Sequence, residues 1–245
     1  MLVNSMKDSV ELKLTKTPEK PIIISGFPGF GMVGTIATEF LVEHLKTEQI
    51  GRILISSMPA LIAIHEGKLV EPFGIYYNKE FNIVIIHSLS GTPGTEWKIA
   101  DGIMQLSEQL QATEIISLEG VGSNEETEHP TTFFFSTDKD KAAEFKKLKI
   151  EKLEEGIIMG VTSALLLKME KPTISCLFAE THTNLPDSKA AAKIIEALDG
   201  YLGLKIDYAP LLQMAEKFEE KLKGIMQQSK IAEDQRDKKT MSYVG

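Results

Sequence analysis

The chain has 245 residues, 42% of them hydrophobic and 25% charged, with a formal net charge of -8. Such a composition is that of a globular protein long enough to bury a substantial core, and it excludes a wholly disordered chain. The acidic balance argues against nucleic acid as a partner, because neutralising phosphates requires clustered lysines and arginines.

The opening segment "MLVNSMKDSVELKL" lacks a basic stretch followed by an apolar run, so no secretory signal is expected. Val10, Leu12 and Leu14 alternate as in a half-exposed strand, whereas "PIIIS" is a continuous apolar run suited to a central strand covered on both faces. The glycine-rich "GFPGFGMVG", residues 26 to 34, comes next. Val33, Ile36, Ala37, Phe40, Leu41 and Leu45 then recur at helical spacing. "RILIS" and "LIAIHEGKLV" read as strands, and "FGIYY" and "NIVIIHS" as a hairpin turning at Asn78-Lys79-Glu80. The whole stretch "PALIAIHEGKLVEPFGIYY" is rich in hydrophobes for a lone surface hairpin, which predicts contact with a second copy and a homo-oligomer.

Gly91, Pro93 and Gly94 form a loop before a helix in which Trp97, Ala100, Ile103, Met104 and Leu110 are expected to share the buried side. "TEIISLEGVG" is a buried strand, "SNEETEHP" a polar loop, "TTFFFST" a strand and "DKDKAAEFKKL" a short charged helix. "GVTSALLLKME" reads as a helix; with the preceding "GIIM" it remains too short and too broken by polar residues to span a membrane. "PTISCLFAET" is a strand holding the single cysteine, Cys176, which rules out an internal disulfide or multi-thiolate metal site and reads as a core residue. Pro186-Asp187 then opens a long helix with an acidic residue at its start.

This alternation predicts one α/β domain, a three-layer sandwich with a mixed sheet, over residues 1–226. Its C-terminal helix carries the stripe Leu211, Leu212, Ala215, Phe218, Leu222 and Ile225. Residues 227–245 are expected to be a charged, flexible tail whose "MSYVG" end restores apolar character through Met241, Tyr243 and Val244. An apolar tip on a polar arm suggests a docking peptide, and the reduced thiol and missing signal suggest a cytoplasmic setting.

Gly29, Gly31 and Gly34 fit the G-x-G-x-x-G spacing of a dinucleotide turn. Such a site also uses a carboxylate at the end of the second strand, and none occurs from Arg52 through Ala63. Phe27, Pro28 and Phe30 crowd the turn. Arg52 and Arg236 are the only arginines, so no arginine pair is available to grip phosphate. The glycines, with Gly26, are therefore expected to serve a tight strand-to-helix turn and close helix-sheet contact, without a cofactor. A nucleoside phosphorylase-like or hydrolase-like enzyme, or a small-ligand module, using the Gly26 to Gly34 turn is the competing reading. His44, His65, His87, His129 and His182 form no compact metal motif. Glu180 and His182 are candidates for an acid/base pair, against a helix-capping role as the commoner use of such residues. Ser88 and Ser90 lack the elbow of a serine hydrolase.

"GFPGFGMVG" opening a helix, "GIIMGVTSALLL", and "AETHTNLPDSKAAAKIIEALDGYLGLKID", in that order, resemble the proteasome assembly chaperone family, in particular archaeal homologues of assembly chaperone 2. The resemblance extends from about Ile22 to Met226. It implies a fold like that of purine nucleoside phosphorylases without their catalytic residues, and an ATP-independent homo-oligomeric chaperone that binds proteasome α subunits or the core proteasome. It also implies a C-terminal hydrophobic-tyrosine motif that enters pockets between α subunits. Here Tyr243 is third from the end and preceded by Ser242, which departs from that pattern; Met241 or Val244 would supply the apolar contact and the Gly245 carboxylate would pair with a pocket lysine.

Overall fold

Three consecutive isoleucines, Ile22 to Ile24, can all be buried only where a strand is covered on both faces. In the computed structural model, which describes residues 9–58, 60, 62–65, 67–89, 91, 93–123, 130–181 and 185–213, they lie in β2 (Ile22–Gly26), the middle strand of a nine-stranded sheet. The chain contributes β1 (Val10–Leu14), then β2, a 3-10 turn (Phe30–Met32), α1 (Val33–His44) and β3 (Glu48–Ile55). It continues through β4 (Ala63–His65), β5 (Lys68–Val70), β6 (Phe73–Asn78), β7 (Ile83–Ser88), α2 (Glu96–Leu110) and β8 (Glu114–Gly122). Next come β9 (Thr132–Ser136), α3 (Lys139–Lys147), β10 (Glu151–Lys152), α4 (Gly160–Lys168), β11 (Thr173–Thr181), α5 (Ser188–Leu202) and α6 (Ala209–Gln213).

The strand order is β1-β3-β6-β7-β2-β8-β11-β9-β10. Its centre is parallel: β2 pairs with β7 and β8, and β8 with β11. The β1, β3, β6 and β7 side is antiparallel, as is the β11 to β9 pairing. Register sets the faces. Ile24 stands opposite Ile85 and Ile116, while Ile23 stands opposite Val84 and Ile115. The first row packs against Ile36, Phe40 and Leu41 of α1 and Ile194, Ile195 and Leu198 of α5. The second packs against Ile103 and Leu106 of α2 and Val161 and Leu165 of α4. Helices on both faces of a mixed sheet make the three-layer α/β sandwich expected from the pattern. Cys176 is fully buried in the second layer.

Asp138 caps α3 by accepting from the Asp140 and Lys141 amides, and Asp187 caps α5 by accepting from the Ala190 amide at 3.0 Å. Helix α5 stops where Gly203 adopts φ 67°.

The expected stripe of α2 needs correction. Ala100, Ile103 and Leu110 are buried, but Trp97 is 50% exposed and Met104 only partly buried; Ile99 and Leu106 complete the buried side. At about 100° per residue, Trp97 lies roughly opposite the centre of the Ile99, Ile103, Leu106 and Leu110 arc. It sits instead 5.4 Å from the Lys168 ammonium of α4. The strand expected across "LIAIHEGKLV" is two short strands, β4 and β5, which pair with each other as a separate sheet. The ends expected at 226 and 245, and the stripe beyond Leu212, lie outside the described residues.

Candidate functional site

The turn after β2 is set by how closely backbone approaches backbone. A Cβ at Gly26 would lie 2.0 Å from the Gly34 carbonyl oxygen, and one at Gly34 would lie 2.2 Å from that of Leu118 in β8. Gly31 takes φ 59° and Met32 φ 49°, so two successive left-handed residues swing the chain into α1. A Cβ at Gly31 would also meet Thr181 Oγ1 at 2.7 Å. The Asp187 amide donates to the Gly31 carbonyl at 2.8 Å, and Thr181 Oγ1 donates to Asp187 Oδ2 at 2.9 Å. On β8, a Cβ at Gly120 would lie 2.1 Å from the Phe30 carbonyl oxygen. Gly29 is different: a Cβ there would have ordinary contacts, the nearest being Glu119 Oε2 at 3.5 Å.

Beside this turn opens a cavity of about 390 Å³. It is bounded by residues 27–30 after β2, Gly91 and Pro93 after β7, the end of β8 at residues 119–122, and the segment 156–161 that leads into α4. Phe30, Ile157 and Met159 line it and are 43%, 89% and 63% exposed. The loops after β2 and β7 diverge to opposite faces of the sheet, into α1 and α2. Open α/β sheets form their ligand crevices at such divergences, outside the carboxyl ends of the strands.

Glu119 is the polar centre of this cavity. Its Oε1 accepts from Thr162 Oγ1 of α4, whose hydroxyl is also 2.6 Å from Ser117 Oγ. Burial pushes the Glu119 carboxyl up to about 7, the Thr162 hydrogen bond pulling in the opposite direction. Beneath it, burial and then the Glu119 charge push the Cys176 thiol up, which holds it protonated and unreactive. Glu96 is the other carboxyl on the lining; its Oε1 accepts from the Gly94 amide at 3.1 Å. Glu119 escapes sequence reasoning because its partner lies 43 residues away; the one available signal is a lone charge in the apolar run "TEIISLEGVG".

Among the described residues, the remaining candidates do not line this cavity. Glu180 Oε2 accepts from the Thr131 amide at 3.1 Å, while His182 lies outside the described residues, as do Ser90 and His129. Ser88 is buried. His87, also buried, has Nε2 2.6 Å from Glu39 Oε2 and Nδ1 3.0 Å from Thr38 Oγ1. His44 Nδ1 lies 2.9 Å from the Phe40 carbonyl oxygen one turn earlier. Among the described residues no group of three His, Cys, Asp or Glu side chains could hold a metal ion, and no helix is long and apolar enough to cross a membrane. Met241, Tyr243, Val244 and Gly245 lie outside the described residues.

By architecture this is a three-layer α/β protein with its crevice at the carboxyl ends of parallel strands. The chain belongs to the PAC2 family, whose model matches residues 23–226. It is similar to PbaA of Pyrococcus furiosus, an archaeal homologue of proteasome-assembly chaperone, at 31% identity and a TM-score of 0.82, covering 92% of this chain and 100% of that one. The Pyrococcus furiosus PbaB structure, an archaeal proteasome activator, shares the fold at 23% identity and a TM-score of 0.74, covering 90% and 100% of the two chains. An uncharacterised protein of Methanocaldococcus jannaschii is 28% identical over 231 residues, 93% of either chain.

Proposed function

We propose that this protein is a non-catalytic, ATP-independent chaperone that binds proteasome α subunits, assembly intermediates or the core proteasome in the cytoplasm. Membership of the PAC2 family, together with the likeness to PbaA along nearly the whole of both chains, carries this reading. The glycine turn serves in it as scaffold: Gly26 and Gly34 let α1 approach β2 and β8, Gly31 lets the turn pack against Thr181 and Asp187, and the space beside Gly29 faces a carboxyl where a phosphate would need positive charge. A self-associated core forms the platform. Ile62, Ile64 and Leu69, on and before the β4–β5 hairpin, are 49%, 73% and 64% exposed, and a second copy is their occupant in this reading. Each chain adds a tail whose Met241, Tyr243, Val244 and Gly245 carboxylate engage the proteasome, and several tails on one oligomer raise the effective concentration of the rest.

Pull-down against separated proteasome α and β subunits tests the proposal, with Tyr243→Ala and a chain lacking residues 241–245 run beside the native protein. Selective capture of α-subunit assemblies, weakened by both changes while gel-filtration behaviour is unaltered, is expected. Undiminished binding by both variants assigns recognition to the core; absence of binding to any subunit overturns the function.

A further inference from the structure

Strand β8 carries a glutamate near either end, and the two are treated differently by the fold. Glu114 is 1% exposed and fully surrounded: Ser175 Oγ donates to it at 2.5 Å, the Tyr201 hydroxyl at 2.9 Å, and the Lys141 ammonium stands 3.4 Å away. That is a satisfied structural carboxylate. Glu119, at the cavity end, receives Thr162 on Oε1 and nothing on Oε2 among the described residues. Glu119 is partly buried, and its second oxygen opens onto the cavity, where it can accept from a group bound there.

The cavity limits what that donor can be. Its volume, about 390 Å³, falls in the range of about 300–1,000 Å³ common to small-molecule sites. Phe27, Phe178 and Val161 make its inner walls and Phe30 its rim, while Glu96 and Glu119 are the only ionisable side chains among the described lining residues. An anion would meet two carboxyls and no cation. A hydrocarbon would fill the apolar part and leave Oε2 unbonded. A nucleotide would bring phosphates to a crevice without lysine or arginine on its described lining. An ammonium group attached to a compact apolar body satisfies all three features, since it donates to a carboxylate, is attracted to the faces of aromatic rings, and brings apolar surface to apolar walls.

We propose that this cavity binds a small primary amine with an apolar body, its ammonium hydrogen-bonded to Glu119 Oε2. The ammonium stays charged below about pH 10, and the bond it makes requires Glu119 ionised. With the carboxyl at about 7, binding near pH 6 releases a proton from Glu119 and binding near pH 8 does not. Affinity therefore rises about tenfold from pH 6 to pH 8, following the ionised fraction of the carboxyl. The other titratable groups facing it are Glu96 from α2 and the Cys176 thiol from β11; α4 contributes the uncharged Thr162.

Isothermal titration of the full-length protein at pH 6 and pH 8 tests this, with phenethylamine, 2-phenylethanol and 3-phenylpropanoate as probes of matched body and different head group. Phenethylamine is expected to bind saturably, one per chain, about tenfold more tightly at pH 8; the alcohol should be weaker by tenfold or more, and the acid weaker still. Glu119→Gln should reduce the amine to the affinity of the alcohol and abolish the pH dependence. Amide NMR shifts induced by phenethylamine in the native protein should concentrate at residues 27–30, 119–122 and 160–162, a readout that stands even if the variant folds poorly. Saturable binding of the acid as tight as that of the amine, absence of saturable amine binding, or shifts centred elsewhere each overturns the proposal.

Discussion

The same substitution, glycine to alanine within a helix, is expected to have opposite effects at two positions of this protein. Gly34 lies in the first turn of α1 and Gly200 near the end of α5. Helix propensity alone favours alanine by up to about 1 kcal/mol at either position. At Gly200 the new methyl would find Leu148 Cδ2 at 3.8 Å, an ordinary contact, so the gain is kept. At Gly34 it would lie 2.2 Å from the Leu118 carbonyl oxygen and 3.1 Å from Gly26 Cα. Carbon and oxygen approach comfortably no closer than about 3.3 Å, so α1 must move away from β8 by about 1 Å. The obstruction is main chain, and no side chain can rotate to relieve it. Overpacking of this sort costs about 3 kcal/mol, at the upper end of the usual range, leaving a net loss of about 2 kcal/mol. At about 2–4 °C per kcal/mol for a chain of this size, Gly34→Ala should melt about 4–8 °C below the native protein and Gly200→Ala up to about 4 °C above it. Calorimetry or circular dichroism of the three proteins in parallel decides the matter. A Gly34→Ala protein as stable as the native one would refute the reasoning, because α1 could then not be docked on the β8 backbone as tightly as described.

Three further outcomes are expected. Glu119→Gln should leave stability unchanged at pH 4 and raise it progressively from about pH 5 to pH 7, by up to about 3 kcal/mol above that: the native carboxyl, raised by burial to about 7, keeps its proton in the folded state but loses it on unfolding, so native stability falls as pH rises through that interval. Urea titrations of both proteins at pH 4 and pH 8 measure the difference, and an equal or larger effect at pH 4 contradicts it. Asp187→Ala removes the amide acceptor at the α5 start and the partner of Thr181 Oγ1, so a loss of about 1–2 kcal/mol is expected in thermal unfolding, with Asp187→Asn retaining most of the cap. Ile64→Glu with Leu69→Glu places charge on the exposed hairpin face; with the proposed self-association through that face, light scattering should report a smaller species than for the native protein, and an unchanged size would count against that interface.

What could be read from sequence divides along a physical line. Elements whose burial follows a local period were accessible: the isoleucines of β2, the stripe of α1 and the aspartate opening α5 each carry their signal within a few residues. The α2 stripe was misaligned because a tryptophan outweighs neighbours in any count of apolar side chains, although it is placed about half a turn from them. Strand β10 carries no sequence signal of its own, since its two exposed residues, Glu151 and Lys152, join the sheet through backbone pairing with Phe133 and Phe134 of β9. Backbone hydrogen bonds of that kind are indifferent to side-chain identity.

The cavity belongs to the same class of long-range product, and the glycine motif illustrates why spacing alone is a poor guide to it. Glycines 29, 31 and 34 satisfy a dinucleotide pattern, yet what occupies the space beside them is decided by Glu119, delivered 85 residues after Gly34 by β8, and by Thr162, delivered by α4. A partly buried carboxyl where a phosphate would need cationic surroundings favours the opposite sign of charge, while the glycine turn still leads directly from a central parallel strand into a helix. Under the proposal above, what the crevice accepts rests on one side chain at the end of a neighbouring strand. The Glu119→Gln variant, which alters that side chain without disturbing the glycines, therefore separates the chemistry of the crevice from the architecture that makes it.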